Sequence, residues 1–294
     1  MRWVGLLALT LACGRSPATT PPTPARGELA LGTPSTAPVA DASTPTEAAQ
    51  SATPAPVPPP SAPWPPPPPE VTTEFCTQVM TPLDEETCYS LPEAKTDELL
   101  LYLHGTIPPG KVSPQKTNLG LVVSNAAKRG KFAVLLPRGR RGLAPASQRD
   151  WWGWPTSGAQ YEHWAAEMVR AFAEKRSRLE ALIGAPFARF YVAGSSSGAY
   201  FAAALALRGE LEADGYAAIS GGAWVEHNRL AELAAKPFYV GYGKHDSVAT
   251  SAKRLGDRLR AAGWPVSVAV HPLPHGAREI YLDEALAFFR AQKQ

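Results

Sequence analysis

The stretch Phe190-Tyr191-Val192-Ala193-Gly194-Ser195-Ser196-Ser197-Gly198-Ala199 decides the reading of the chain. Its first half is aromatic and β-branched, which suits a buried strand. It stops at G-x-S-x-G, and the alanine-rich run Ala199 to Arg208 that follows suits a helix. The pattern predicts a strand, a sharp turn with Ser196 at its apex, and a helix. Glycine is needed on both flanks, because a serine on so tight a turn has a strained backbone and brings strand and helix into contact. Short Gly/Ser clusters also make ordinary loops. The distinction rests on what the rest of the chain supplies.

Working outward, Glu98 to Leu103 and Lys131 to Leu136 precede this stretch, and Gly215 to Ser220, Pro237 to Tyr242 and Val266 to Val270 follow it. These are short, largely apolar runs, as expected for strands covered on both faces. Helices are expected over Thr117–Lys128, Gln160–Ile183, Asn228–Ala235, Ala249–Ala262 and Ala277–Arg290, and a small hairpin over Val71–Met80 and Thr87–Leu91. Strands alternating with helices predict an α/β fold with a mostly parallel central sheet and helices on both faces. About 14 residues separate Gly222 from Pro237, too few for a lid domain.

Three further sites fall just after predicted strand ends: His104-Gly105, Asp246 and His275-Gly276. In an open parallel sheet the C-terminal strand ends share one edge, where ligands bind, so residues distant in sequence converge there. On these residues and the turn at Ser196, in the chain order serine, acid, histidine, residues 97–294 resemble the α/β-hydrolase family. The resemblance implies Ser196 as nucleophile and His275 as its general base and later acid. It implies Asp246 as the group that holds the imidazole tautomer and stabilises the imidazolium. It further implies an oxyanion hole from the backbone N–H groups of Ser197 and Thr106. Ser195 and Ser197 share the chemistry, but the motif exposes only the central serine. Asp246 could instead cap the helix after it, while Asp214 precedes a strand and Asp257 lies inside a helix. His271 ends a strand, whereas His275 sits in a Pro/Gly loop and is free to reach. His104 is expected to shape the oxyanion loop and border the substrate. His163 and His227 are expected at the surface.

Trp151, Trp152 and Trp154 lie in a long loop on the same edge and are candidates for an aromatic substrate wall, or for anchors of the loop. Arg138, Arg140, Arg141 and Arg149 flank them, as an anion site or as a solvated basic loop. No metal-ligand spacing and no G-x-G-x-x-G after a strand is present, so neither a metal nor a dinucleotide is expected, and no cofactor. The net charge of +3 gives no basic footprint for nucleic acid. The function expected is a serine carboxylic-ester hydrolase working through an acyl-enzyme, as a monomer, on a small-molecule ester or a polymer end. The compact layout is loosely similar to feruloyl esterases, polyhydroxybutyrate depolymerases and carboxylesterases. A serine peptidase of the same fold is one alternative. A non-catalytic envelope-binding module is another, and the intact Ser, Asp and His argue against it.

The N-terminal part has a different character. Residues 1–12 carry Arg2 and an apolar run too short to span a bilayer, which fits a signal peptide. Thr10-Leu11-Ala12-Cys13 resembles a bacterial lipobox, which implies lipidation at Cys13 and a cell-envelope location, on the periplasmic side or the cell surface; ordinary secretion with Cys13 discarded is the alternative. Residues 13–70 read as a tether: 18 of the 31 prolines fall between residues 16 and 69, with almost no large apolar side chains to form a core. Residues 71–294 have the size of one α/β domain. Cys76 and Cys88 then remain as an even pair in an oxidising compartment and are expected to be bridged.

Overall fold

A computed structural model describes residues 64–110, 113–224 and 230–292. The signal peptide, Cys13, most of the tether and His227 lie outside the described residues.

The chain runs β1 (Thr81–Asp84), β2 (Thr87–Ser90), β3 (Glu98–Leu103), α1 (Pro114–Gly130), β4 (Ala133–Pro137), β5 (Arg140–Arg141) and β6 (Trp152–Gly153). It continues α2 (Gly158–Ile183), β7 (Arg189–Ser195), α3 (Ser197–Arg208), β8 (Gly215–Ile219), β9 (Phe238–Gly243), α4 (Ala249–Ala261), β10 (Val266–His271) and α5 (Glu279–Ala291). Eight strands form one sheet in the order β1-β2-β4-β3-β7-β8-β9-β10, and β5 pairs with β6 in a separate ribbon. From β4 to β10 every pairing in the large sheet is parallel; β1 and β2 join antiparallel at one edge.

The two-residue period of a strand assigns the layers. On β3, Leu99, Leu101 and Leu103 face a core that includes Tyr161, Met168 and Phe172 of α2, Phe201 of α3 and Leu255 of α4. Leu100 and Tyr102 face the opposite core, with Val123 of α1 and Leu282 and Phe289 of α5. β3 therefore has no polar face, and its sequence shows no alternation.

The boundaries are set by caps. Ser113 accepts the Lys116 N–H and Pro114 opens α1; Lys131, in the left-handed region at φ 57°, closes it. The Phe132 N–H reaches back 3.1 Å to the Ala127 carbonyl, so Lys131 and Phe132 belong to the helix end and β4 begins only at Ala133. The predicted strand over Val71–Met80 does not form; the first strand is Thr81–Asp84. Short-range hydrogen bonds turn that segment instead, and the Thr73 hydroxyl donates to the Glu85 carbonyl at 2.8 Å. The Thr73 hydroxyl accepts from Phe75 at 3.0 Å, and Met80 N–H donates to the Thr77 carbonyl at 3.1 Å. Cys76 and Cys88 are joined by a disulfide that ties this segment to β2. Between β8 and β9 the described chain makes only a short 3-10 turn, Leu230–Glu232, within the helix expected over Asn228–Ala235. Among the described residues no helix is long and apolar enough to cross a membrane.

Candidate active site

The turn between β7 and α3 holds Ser196 at φ 51° and ψ −118°, a conformation costly for a residue with a Cβ. Both of its backbone polar groups are engaged. Its N–H donates to the Ile219 carbonyl of β8 at 3.0 Å, and its carbonyl accepts from Ala199 at 3.0 Å and Tyr200 at 3.2 Å. The flanking glycines answer to close approach. A Cβ at Gly194 would sit 2.2 Å from the Gly198 carbonyl oxygen, and one at Gly198 would sit 2.0 Å from the Leu103 carbonyl oxygen. Ser195 and Ser197 are both buried, and the Ser197 hydroxyl accepts from Thr106 at 3.4 Å, so only Ser196 meets a histidine.

That histidine is His275, in the loop after β10. Its Nε2 lies 3.1 Å from the Ser196 Oγ, and its Nδ1 lies 2.9 Å from Asp246 Oδ1 and 3.0 Å from Oδ2. Asp246 sits on the turn after β9, its side chain sealed from solvent while His275 is 43% exposed. Burial pushes the Asp246 carboxyl up, but the Val248 N–H, His275 and the Ser220 hydroxyl together outweigh it and hold the acid below its ordinary value. An ionised carboxylate only accepts. The proton of a neutral imidazole therefore sits on Nδ1, and Nε2 is left to accept the Ser196 Oγ–H. Asp246 also accepts the Val248 N–H at 3.0 Å, in the turn before α4, whose N-cap position is Val248 and not Asp246.

Ser197 is the first residue of α3, and its N–H is one of the donors that a helix N-terminus leaves without an intrahelical acceptor. Thr106 lies beside it and lines the same cleft as Ser196 and His275. The cleft holds about 450 Å³, and Ile107, Leu119, Ala277 and Arg278 are among the residues that line it. Gln115, Asn118 and Gln148 add neutral amides.

Four predicted substrate contacts lie elsewhere. His104 is fully buried; its Nε2 accepts the Gly139 N–H at 2.9 Å and its Nδ1 bonds the Gly105 carbonyl. Burial lowers its pKa to about 4, the Gly105 carbonyl opposing and Arg138 adding to the shift. It bonds backbone on both sides of the loop start that leads to Thr106 and does not line the cleft. Trp152 and Trp154 are buried in the two cores, Trp154 stacked 5.8 Å from Phe201, and Trp151 does not line the cleft either. The Trp152 and Trp154 indoles hold the long loop down by burying their apolar area inside the fold. The arginines around them are spent in the same way. Arg138 pairs with Glu86 and lies over Trp152, Arg140 pairs with Glu167 and lies over Trp164, and Arg141 lies over Trp152.

Two contributors were not expected. Ser220, at φ 49° just after β8, accepts the Gly276 N–H at 3.1 Å and also reaches Asp246, linking the loops that carry base and acid. Its position after a strand end on the ligand edge was the available signal. Arg278 lies three residues beyond His275, where sequence suggested only a helix start. Among the described residues no cluster of His, Cys, Asp and Glu could hold a metal ion.

No family model matches the sequence, and no curated protein matches it. Solved structures do. A carboxylesterase from Mesorhizobium loti is similar with a TM-score of 0.53 at 19% identity, over 71% of this chain and 95% of its own. Esterase PE8 is similar with a TM-score of 0.51 at 18% identity, over 70% of this chain and 96% of its own. Arabidopsis thaliana SOBER1 is similar with a TM-score of 0.50 at 16% identity, over 68% of this chain and all of its own, 100%. At these identities the likeness is one of fold, and the fold of this chain is that of the α/β-hydrolases.

Proposed function

We propose that the protein is a serine hydrolase that cleaves carboxylic esters through an acyl-enzyme. One observation carries the reading: the unbroken relay from Asp246 through His275 to Ser196, with the serine 3.1 Å from the imidazole on a strained turn. The Ser196 Oγ attacks the ester carbonyl carbon as His275 Nε2 takes its proton. Negative charge moves to the carbonyl oxygen, beside the N–H groups of Ser197 and Thr106 and the positive end of α3. The C–O bond to the alcohol then breaks and His275 returns the proton to the leaving oxygen. A water entering past the exposed imidazole attacks the acyl-enzyme by the same route and frees the acid.

The esterase and carboxylesterase among the structural neighbours support esters over amides as substrates. A panel of para-nitrophenyl esters and matched anilides tests this. Ester turnover with an initial burst, abolished in Ser196→Ala, is expected; faster cleavage of the anilides would turn the reading towards a peptidase.

A further inference from the structure

We propose that Arg278 makes this cleft selective for esters that carry a second, free carboxylate. The proposal rests on the ester-hydrolase reading. Among the described residues that line the cleft, Arg278 is the one with a permanent charge; no Asp, Glu or Lys joins it. The others are apolar or carry neutral hydroxyls and amides, apart from the titratable His275.

The guanidinium is not neutralised by its neighbours. Glu279, next in sequence, is held by Arg129 at 2.7 Å and Asn125 at 2.9 Å on α1. Asp283, one turn on, is held by the same Arg129 at 2.8 Å. Asp246 is committed to His275. Among the described residues no carboxylate pairs with Arg278. Its one hydrogen bond among them goes from Nη1 to the Ala277 carbonyl, at 2.6 Å. A guanidinium has five N–H donors, so several remain for a ligand. They are half-buried and line the cleft that holds the reacting serine, three residues beyond His275 in the chain.

The chemistry of the rest of the cleft points the same way. A guanidinium fork matches the two oxygens of a carboxylate, and partial burial strengthens the pair relative to one in open water. One guanidinium balances one negative charge, which favours a carboxylate over a dianionic phosphate. Gln115, Asn118 and Gln148 donate amide hydrogens without competing charge, while Ile107 and Leu119 hold the short apolar linker between the two functional groups. The preferred substrate class is then the half-ester of a dicarboxylic acid, or a hydroxy acid acylated on its hydroxyl with its carboxylate free.

Two pairs of probes tell those sources apart and test the proposal. Monoethyl adipate against ethyl hexanoate places the extra carboxylate on the acyl side. Para-acetoxybenzoate against para-acetoxybenzamide places it on the leaving group. In at least one pair the wild-type kcat/KM is expected to favour the charged ester by roughly tenfold or more, as a charge-assisted pair provides. That ratio is expected to fall with added salt, to collapse towards one in Arg278→Gln, and to be partly kept in Arg278→Lys. A wild-type ratio at or below one in both pairs overturns the proposal, and so does a ratio that Arg278→Gln leaves unchanged. The wild-type and salt measurements stand even if a variant folds poorly. Turnover of the neutral esters without preference removes only this proposal, whereas no turnover of any ester, with Ser196 unreactive, removes the hydrolase reading and this proposal with it.

Discussion

His104 shows how one side chain can hold backbone beside the site without lining the cleft. Its two ring nitrogens are used up between Gly105 and Gly139, which fixes the loop that carries Thr106. Accepting at Nε2 requires the neutral ring, and burial lowers its pKa from 6.5 to about 4. In the unfolded chain the ring regains its ordinary pKa and takes up a proton that the folded chain refuses. Stability is therefore complete above pH 6.5 and declines as the pH falls towards about 4, by on the order of 3 kcal/mol. Asp246, with its pKa held below the ordinary carboxylate value, loses its contribution only at lower pH. Chemical denaturation between pH 7 and 4 measures the slope. His104→Gln, which keeps an acceptor for Gly139, is expected to flatten it, and an unaltered slope in that variant would assign the effect to other groups.

The elements place this chemistry by ending where they do. β7, β9 and β10 deliver Ser196, Asp246 and His275 to one edge of the sheet, and β8 delivers Ser220 between them. Ser220 is a positioning residue: it holds the Gly276 backbone and so the pose of the preceding histidine. Removing its hydroxyl in Ser220→Ala is expected to lower kcat by up to about 10²-fold, the scale of a small misplacement of a reacting group, with KM little changed. An unchanged kcat would show that the His275 loop keeps its pose unaided. Ser220 also marks the limit of the sequence reading. Serine, acid and histidine were legible because each occupies a strand end with its own chemical signature. Ser220 also occupies a strand end, but a serine that acts through a backbone N–H has no chemical signature, so it stands out only once β8 is seen to lie between β7 and β9.

The chain as a whole was legible where a pattern of residue types carried the cause. The parallel order of strands followed from apolar runs and helix spacing, and the disulfide from an even pair of cysteines. The hairpin boundary was missed because Thr73 and Thr77 turn the chain by hydrogen bonds that a hydropathy pattern does not register. The tryptophans were misplaced because an indole reads alike as a ligand wall and as a core anchor until the loop of residues 137–158 is traced across the sheet edge. Export on a lipidated Cys13, with the Pro-rich tether separating membrane from domain, remains our proposal for where the activity resides. Cys13→Ser is expected to abolish incorporation of a clickable fatty acid and to shift the protein from the membrane to the soluble fraction; retention of the label would exclude this cysteine as the attachment point.

The catalytic inferences depend on Ser196 being a nucleophile primed by His275. Mass spectrometry of the protein after treatment with a fluorophosphonate tests that directly. The account predicts one adduct on Ser196 in the wild type, none in Ser196→Ala, and labelling slowed by several orders of magnitude in His275→Ala. No adduct on folded wild-type protein, or an adduct on Ser195 or Ser197, would contradict it.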